Sequence, residues 1–281
     1  MVLSGYASPR TANPRERDAT DRRGVMPVIL WSGGVAVAVM LALWARQLRT
    51  RDATSVDVAW TLLVVGLAVT YGEASDGDPW RRALVVGLAT AWGLRLALHL
   101  VRDRVLAARG EDGRYRALRE QWGPRAPRNF LFLHLAQVVF ALLFSLPVLA
   151  AMRDGPLDGW ALAGVLVWVV AVEGESRADR QLAAFRADPG NRGEVCRAGL
   201  WRYSRHPNYF FEWLQWWAYV LIGHLAPLTL LGPAVMLVFL FRLTGIPYTE
   251  RQALRTRGDR YREYQRTTSV FFPWTPRREA V

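Results

Sequence analysis

The chain has 281 residues, a formal net charge of +12, 52% hydrophobic residues and 13 tryptophans. That apolar share excludes a disordered or fibrous chain and points to a polytopic membrane protein. All 36 basic residues are arginines gathered between apolar stretches, a positive-inside pattern that argues for a lipid bilayer and against a nucleic-acid partner.

Residues 1–25 are polar and rich in Arg, Asp, Thr and Pro, and are expected to form a disordered N-terminal tail. No small-residue cleavage site follows, so this stretch does not resemble a signal peptide. The first apolar run, 26–45, has the ~20 residues that cross ~30 Å of hydrocarbon. Further runs at 56–71, 83–100, 130–151, 157–172, 209–225 and 228–246 predict an all-α, polytopic bundle of about seven transmembrane helices with cytoplasmic amphipathic segments. Residues 26–281 then form a single membrane-embedded domain. Arginines crowd the third and fifth connections, which places both inside and the C-terminus in the cytoplasm. Cys196 is the only cysteine, so no internal disulfide forms and no metal cluster is expected.

Ionisable residues inside a membrane are costly and need a reason. Asp57 enters the second span from the cytoplasmic side, and Arg95 and His99 leave the third toward the same side. Asp57 and Arg95 could lock two helices as an ion pair, or position and protonate a substrate; His99 reads as a helix-end interfacial residue. Glu175, Asp179 and Arg186 lie on an amphipathic helix that Pro189-Gly190-Asn191 ends.

The stretch GLWRYSRHPNY at 199–209 joins a basic turn to an aromatic helix. Pro207 lacks a backbone N–H and biases His206 away from helix, so the helix starts near Pro207 or Asn208. Arg202, Arg205 and His206 precede it, where cations and free N–H groups together suit a phosphate. Asn208, Glu212, Gln215 and Tyr219 follow at i, i+4, i+7 and i+11, one polar stripe among Phe and Trp that should face an interior or a watery cavity. Asn208, Tyr209 and Glu212 can bind amide and hydroxyl groups there. In the tail, Tyr261 and Tyr264 stand at i, i+3 on a charged helix before Phe271-Phe272-Pro273-Trp274; the helix reads either as an interfacial anchor or as a lid.

These residues carry a resemblance. GLWRYSRHPNY with Glu212 four residues after Asn208, the tail pattern, SVDVAW at 55–60, WGLRLALHL at 92–100 and GEDGRY at 110–115 resemble the bacterial membrane family related to steroid 5-alpha-reductases. That family groups with isoprenylcysteine carboxyl methyltransferases and sterol reductases. The resemblance, over about residues 50–275, implies a seven-helix enzyme of the bacterial inner membrane. It would use NADPH to reduce an activated carbon–carbon double bond of a steroid-like or other hydrophobic lipid substrate, with residues 175–281 carrying the cofactor site. Asp179 and Arg186 match a cofactor-contacting Asp…Arg pair, Tyr203, Asn208, Glu212 and Trp216 match the central motif, and Tyr261 falls where the tail carries a cofactor-contacting tyrosine. The Glu and Tyr pair that polarises the enone in steroid reductases has no located counterpart; Asp57 could replace the acid. Two other readings stand beside this one, an S-adenosylmethionine-dependent methyltransferase and a non-catalytic membrane protein or transporter. Oligomeric state is not fixed by the sequence.

Overall fold

The computed structural model describes residues 14–106, 110–153, 155–243 and 245–277, with side chains from residue 26 onward. Among them there is no strand; the chain is a bundle of helices α1 (Pro14–Thr50), α2 (Ser55–Ala74), α3 (Pro79–Leu100), α4 (Gly113–Trp122), α5 (Ala126–Ala151), α6 (Gly159–Ala187), α7 (Pro207–Ile222), α8 (Leu231–Val238), α9 (Ile246–Arg257) and α10 (Asp259–Thr267). A π-helical turn, Val101–Leu106, prolongs α3, and another, Phe239–Leu243, follows α8.

Among the described residues six helices are long and apolar enough to cross a membrane: Met26–Thr50, Ser55–Ala74, Pro79–Leu106, Gly113–Ala151, Gly159–Ala187 and Pro227–Arg257. The sixth expected span, 209–225, is α7, whose 16 residues reach only about 24 Å at 1.5 Å per residue. It survives because it is sheathed by the bundle, with Trp216, Ala218, Tyr219, Val220 and Ile222 all buried. The protein is therefore a polytopic helical membrane protein. Two boundaries differ from the sequence reading, at α1 and at the last span, and one expected continuation is kept, at α6. Helix α1 takes in residues 14–25, half of the stretch assigned to a disordered tail, while 1–13 lie outside the described residues. Helix α6 continues from the fifth span to Ala187 without a break. The last span is a 3-10 turn, α8, a π turn and α9 in succession.

Local chemistry sets the helix starts. Asp78 caps α3 by accepting from the N–H groups of Trp80 and Arg81, with Pro79 in the first turn. Asp112 caps α4 and Asp158 caps α6 in the same manner. In lipid, helices associate through close packing rather than apolar burial, so small residues matter at contacts. A Cβ at Gly164 would stand 2.8 Å from the Ala218 carbonyl oxygen, and one at Gly174 would stand 2.4 Å from the Phe211 ring. Those two glycines let α6 and α7 run side by side. Beneath α7, Trp216 packs edge-on to Trp92 with ring centroids 5.5 Å apart and lies 4.9 Å from Phe144, which makes an aromatic layer across the middle of the bundle.

At one end of α3, Arg81 is fully buried. Its Nε donates to the Gly155 carbonyl at 2.5 Å, its Nη2 to Pro156 at 2.8 Å and its Nη1 to Ile222, so one guanidinium ties α3 to the α5–α6 connection and to the end of α7.

Candidate functional site

A cavity of about 710 Å³ opens at the other end of α3, where α2, α4, α7 and α9 begin and α6 carries on past the bundle. Its floor is apolar, with Phe144, Met236, Phe239 and Leu240 over the aromatic layer. Its walls are charged.

On the first wall Arg95 reaches from α3 to α6. It lies 2.7 Å from the Glu175 carboxylate, donates to Asp179 Oδ2 at 2.9 Å and to Ser176 Oγ at 3.0 Å. Asn208, in the first turn of α7, donates to Asp179 Oδ1 at 3.3 Å. One turn on, Glu212 Oε2 accepts from the Trp92 indole at 3.1 Å, while Glu212 Oε1 is buried and accepts no hydrogen bond of good geometry among the described residues, with the Trp216 indole and the Glu175 carboxyl group beside the same carboxylate. A buried acceptor left unpaired is costly, so a donor belongs there. His99 Nδ1 stands 3.9 Å from Asp179.

On the second wall Asp57 is the hub. Its Oδ2 accepts from Arg104 at 2.6 Å and Arg114 at 2.5 Å, and its Oδ1 from the Tyr115 hydroxyl at 2.5 Å. Arg114 also lies over the Tyr115 ring, 5.3 Å from its centroid, and bonds to the α4 cap Asp112 at 3.1 Å. The third wall is one face of α9, where Tyr248, Arg251, Gln252 and Arg255 follow at i, i+3, i+4 and i+7.

The structure brings five of the expected residues to this cavity, namely Asp57, Asp179, Asn208, Tyr209 and Glu212. Trp216 lies below the floor, fully buried. Arg186 lines a different hollow. Arg202 and Tyr203 are exposed on a 3-10 turn. Arg205 and His206 do not offer free cations, because Glu250 occupies them: Arg205 Nε is 2.9 Å and His206 Nε2 3.3 Å from its Oε1, and the Tyr261 hydroxyl donates to the same oxygen at 3.5 Å. Burial holds the His206 imidazole below its ordinary range, and Glu250 opposes that shift. Tyr264 is buried too and donates to the Ser204 carbonyl at 3.2 Å, so the tail helix is packed onto the Arg-His-Pro turn and neither of its tyrosines reaches the cavity. Burial raises both phenols above their ordinary range.

The Asp57–Arg95 ion pair, one of the two alternatives for these residues, does not form among the described residues. Arg95 faces α6, and the π turn after α3 carries Arg104 to Asp57 instead. The sequence reading also missed Tyr115 as a site residue, took Arg104 and Arg114 only as positive-inside loop charges, and passed over the α9 face. The i, i+3, i+4, i+7 spacing of that face was the available signal.

Residues 43–268 match a family described as protein of unknown function (DUF1295). The chain belongs to this family. The DUF1295 match spans every cavity residue named above, from Asp57 to Arg255. A relative from Schizosaccharomyces pombe (strain 972 / ATCC 24843), the uncharacterized protein C594.04c, is 26% identical over 266 residues, which cover 82% of this chain and 75% of the yeast one. No solved structure matches this DUF1295 chain.

Proposed function

We propose that this protein is an integral-membrane, NADPH-dependent reductase of an activated carbon–carbon double bond in a steroid-like or other lipid substrate, related to steroid 5-alpha-reductases. The observation that carries the reading is the pair on α7. Asn208 offers an amide and Glu212 a buried acceptor that receives no hydrogen bond of good geometry, the complement of a carboxamide, and both face a cavity with an apolar floor. The residues present therefore fit a nicotinamide at this wall, and the cationic Arg251 and Arg255 at the mouth suit its phosphates.

When bound, NADPH supplies the hydride that reduces the double bond. The chain supplies orientation, dryness and a hydrogen-bond donor. Asn208 and Glu212 orient the carboxamide, and Phe144, Phe239 and Leu240 keep water from the reacting carbons. On the opposite wall Tyr115 presents a hydroxyl oriented by Asp57 and flanked by Arg104 and Arg114. Turned from Asp57 toward a substrate carbonyl, that hydroxyl can donate a hydrogen bond as negative charge develops on the oxygen, and the two guanidiniums beside it stabilise the same charge. In this reading the cavity and the Arg-rich C-terminal side face the cytoplasm of a bacterial inner membrane.

Titration of NADPH, NADH and S-adenosylmethionine against tryptophan fluorescence, in mild detergent, tests the reading. NADPH should bind, and bind more weakly in Asn208→Ala and Glu212→Ala. Binding of S-adenosylmethionine alone would replace the reductase with a methyltransferase, and a folded sample that binds none of the three would remove the enzyme reading.

A further inference from the structure

The charges on the first wall of the cavity do not balance. Glu175, Asp179 and Glu212 bring three carboxyl groups to one guanidinium, that of Arg95. Asp179 is provided for, since its two oxygens accept from Arg95 and Asn208. The glutamates are not. Glu175 is buried and its Oε2 lies 2.7 Å from Arg95 Nη1, yet neither atom completes a hydrogen bond of good geometry, and Glu212 Oε1 is in the same position. Both glutamates line the cavity, and their carboxyl groups stand within hydrogen-bonding reach of each other.

Two ionised carboxylates at that range repel strongly inside a low-dielectric wall. A carboxylate has no donor to offer, whereas a carboxyl group has one. One proton held between the two therefore removes the repulsion and satisfies both orphaned oxygens. No neighbouring side chain supplies the donor instead. The Trp216 indole beside Glu212 is buried with its own N–H unpaired, and Gln215, three residues along α7 and fully buried, keeps its amide nitrogen unpaired. The other charged groups around the pair do not take the proton's place either. His99 is partly exposed and stands 3.9 Å from Asp179; Arg104 and Arg114 are held by Asp57 on the second wall; Arg251 and Arg255 on α9 are exposed, where water and salt screen them. Tyr219, two turns deeper on α7, is an uncharged phenol at neutral pH.

We infer that Glu175 and Glu212 share a single proton in the empty cavity and release it when a cationic ring is seated against Glu212. The second half rests on the reductase reading, in which Glu212 binds the carboxamide of a nicotinamide. The reduced ring is neutral: Glu212 accepts the amide N–H on a free lone pair, and the shared proton stays. The oxidised ring carries one positive charge, which takes over the work of offsetting two carboxylates. The carboxyl O–H bond then breaks, its electron pair stays on the oxygen and the proton passes to water; nothing is oxidised or reduced in this step. Glu175 is thus a positioning residue that acts through Glu212. Because binding of the oxidised cofactor releases a proton, its affinity rises with pH, and that of the reduced cofactor does not follow.

Two measurements on the full chain in mild detergent test this. Infrared spectra of the ligand-free protein at neutral pH should show a protonated-carboxyl carbonyl band that moves in D2O and is lost in Glu175→Gln and in Glu212→Gln alike. No such band in the wild type, or its survival in either variant, overturns the shared proton. Calorimetry in buffers of different ionisation enthalpy should then give about one proton released per NADP⁺ bound and about none per NADPH, with release abolished in Glu175→Gln. Equal release with both cofactors, or undiminished release in Glu175→Gln, overturns the coupling while the reductase reading stands. If neither cofactor binds a folded wild type whose carboxyl band is lost in both variants, the shared proton stands and the coupling falls together with the reductase reading.

Discussion

At one end of α3 the Arg81 guanidinium bonds to three backbone carbonyls, with the helix-capping Asp158 3.8 Å away, and at the other the Arg95 guanidinium is shared between Glu175 and Asp179 beside a Glu212 oxygen that accepts no hydrogen bond of good geometry. Both arginines sit inside the bundle on one helix, yet they do different work. Carbonyls cannot leave, titrate or turn, so Arg81 is a strut that fixes where α3, α7 and the α5–α6 connection meet. Carboxylates in excess of their cation keep acceptors to offer, so the Arg95 end is organised for something that arrives. Buried charge alone does not mark a site; surplus hydrogen-bonding capacity facing a cavity does.

The largest effect that would break this contrast is expected at the strut. Arg81→Met should cost about 3 kcal/mol or more, from charged hydrogen bonds lost to buried carbonyls, read as a large fall in thermal midpoint with cofactor affinity kept in the fraction that stays folded. At the other end Tyr115→Phe should lower kcat by about a hundredfold or more with NADPH affinity near wild type and a modest fall in thermal midpoint, because Asp57 Oδ1 loses its donor. A matching fall in affinity would make Tyr115 a binding residue rather than one that acts on the developing charge. Glu212→Gln should weaken NADPH about tenfold and leave stability the same or higher, because it removes a buried acceptor that the protein does not satisfy. A sharp loss of stability there would make Glu212 a second strut.

The smallest effect concerns His206, beside the cavity but bonded to Glu250. Its folded-state pKa is depressed by burial, so as the pH falls below about 6.5 the unfolded chain takes up the proton first. Stability from this residue is therefore full above that pH and declines as the pH drops toward the depressed value. Thermal midpoints across mildly acidic pH should slope less in His206→Gln than in wild type.

Much of the bundle was legible because apolar length and helix-start chemistry are local properties; Pro207 marks a helix start that the structure keeps. The α7 stripe was legible for the same reason, since Asn208 and Glu212 need only helical periodicity to share a face. Partnership was not. Asp57 and Arg95 looked matched by depth, but depth says nothing about which neighbour a side chain faces, and α3 turns Arg95 toward α6. Glu250 was equally hidden, because the residues it neutralises lie 44 and 45 positions away, at His206 and Arg205.

The π-helical turn Val101–Leu106 holds Arg104 against Asp57. A π turn carries one residue more than the α-helical turn it replaces, so it acts as a frozen insertion in α3. Deleting Arg102 would close the turn to ordinary α geometry, in which the residues after it keep roughly their facing while Arg104, inside the turn, is displaced. Arg104 would swing away from Asp57 with no change in the residues of the site. The register of the chain, counted to a single residue, is thus a component of the second wall of the cavity.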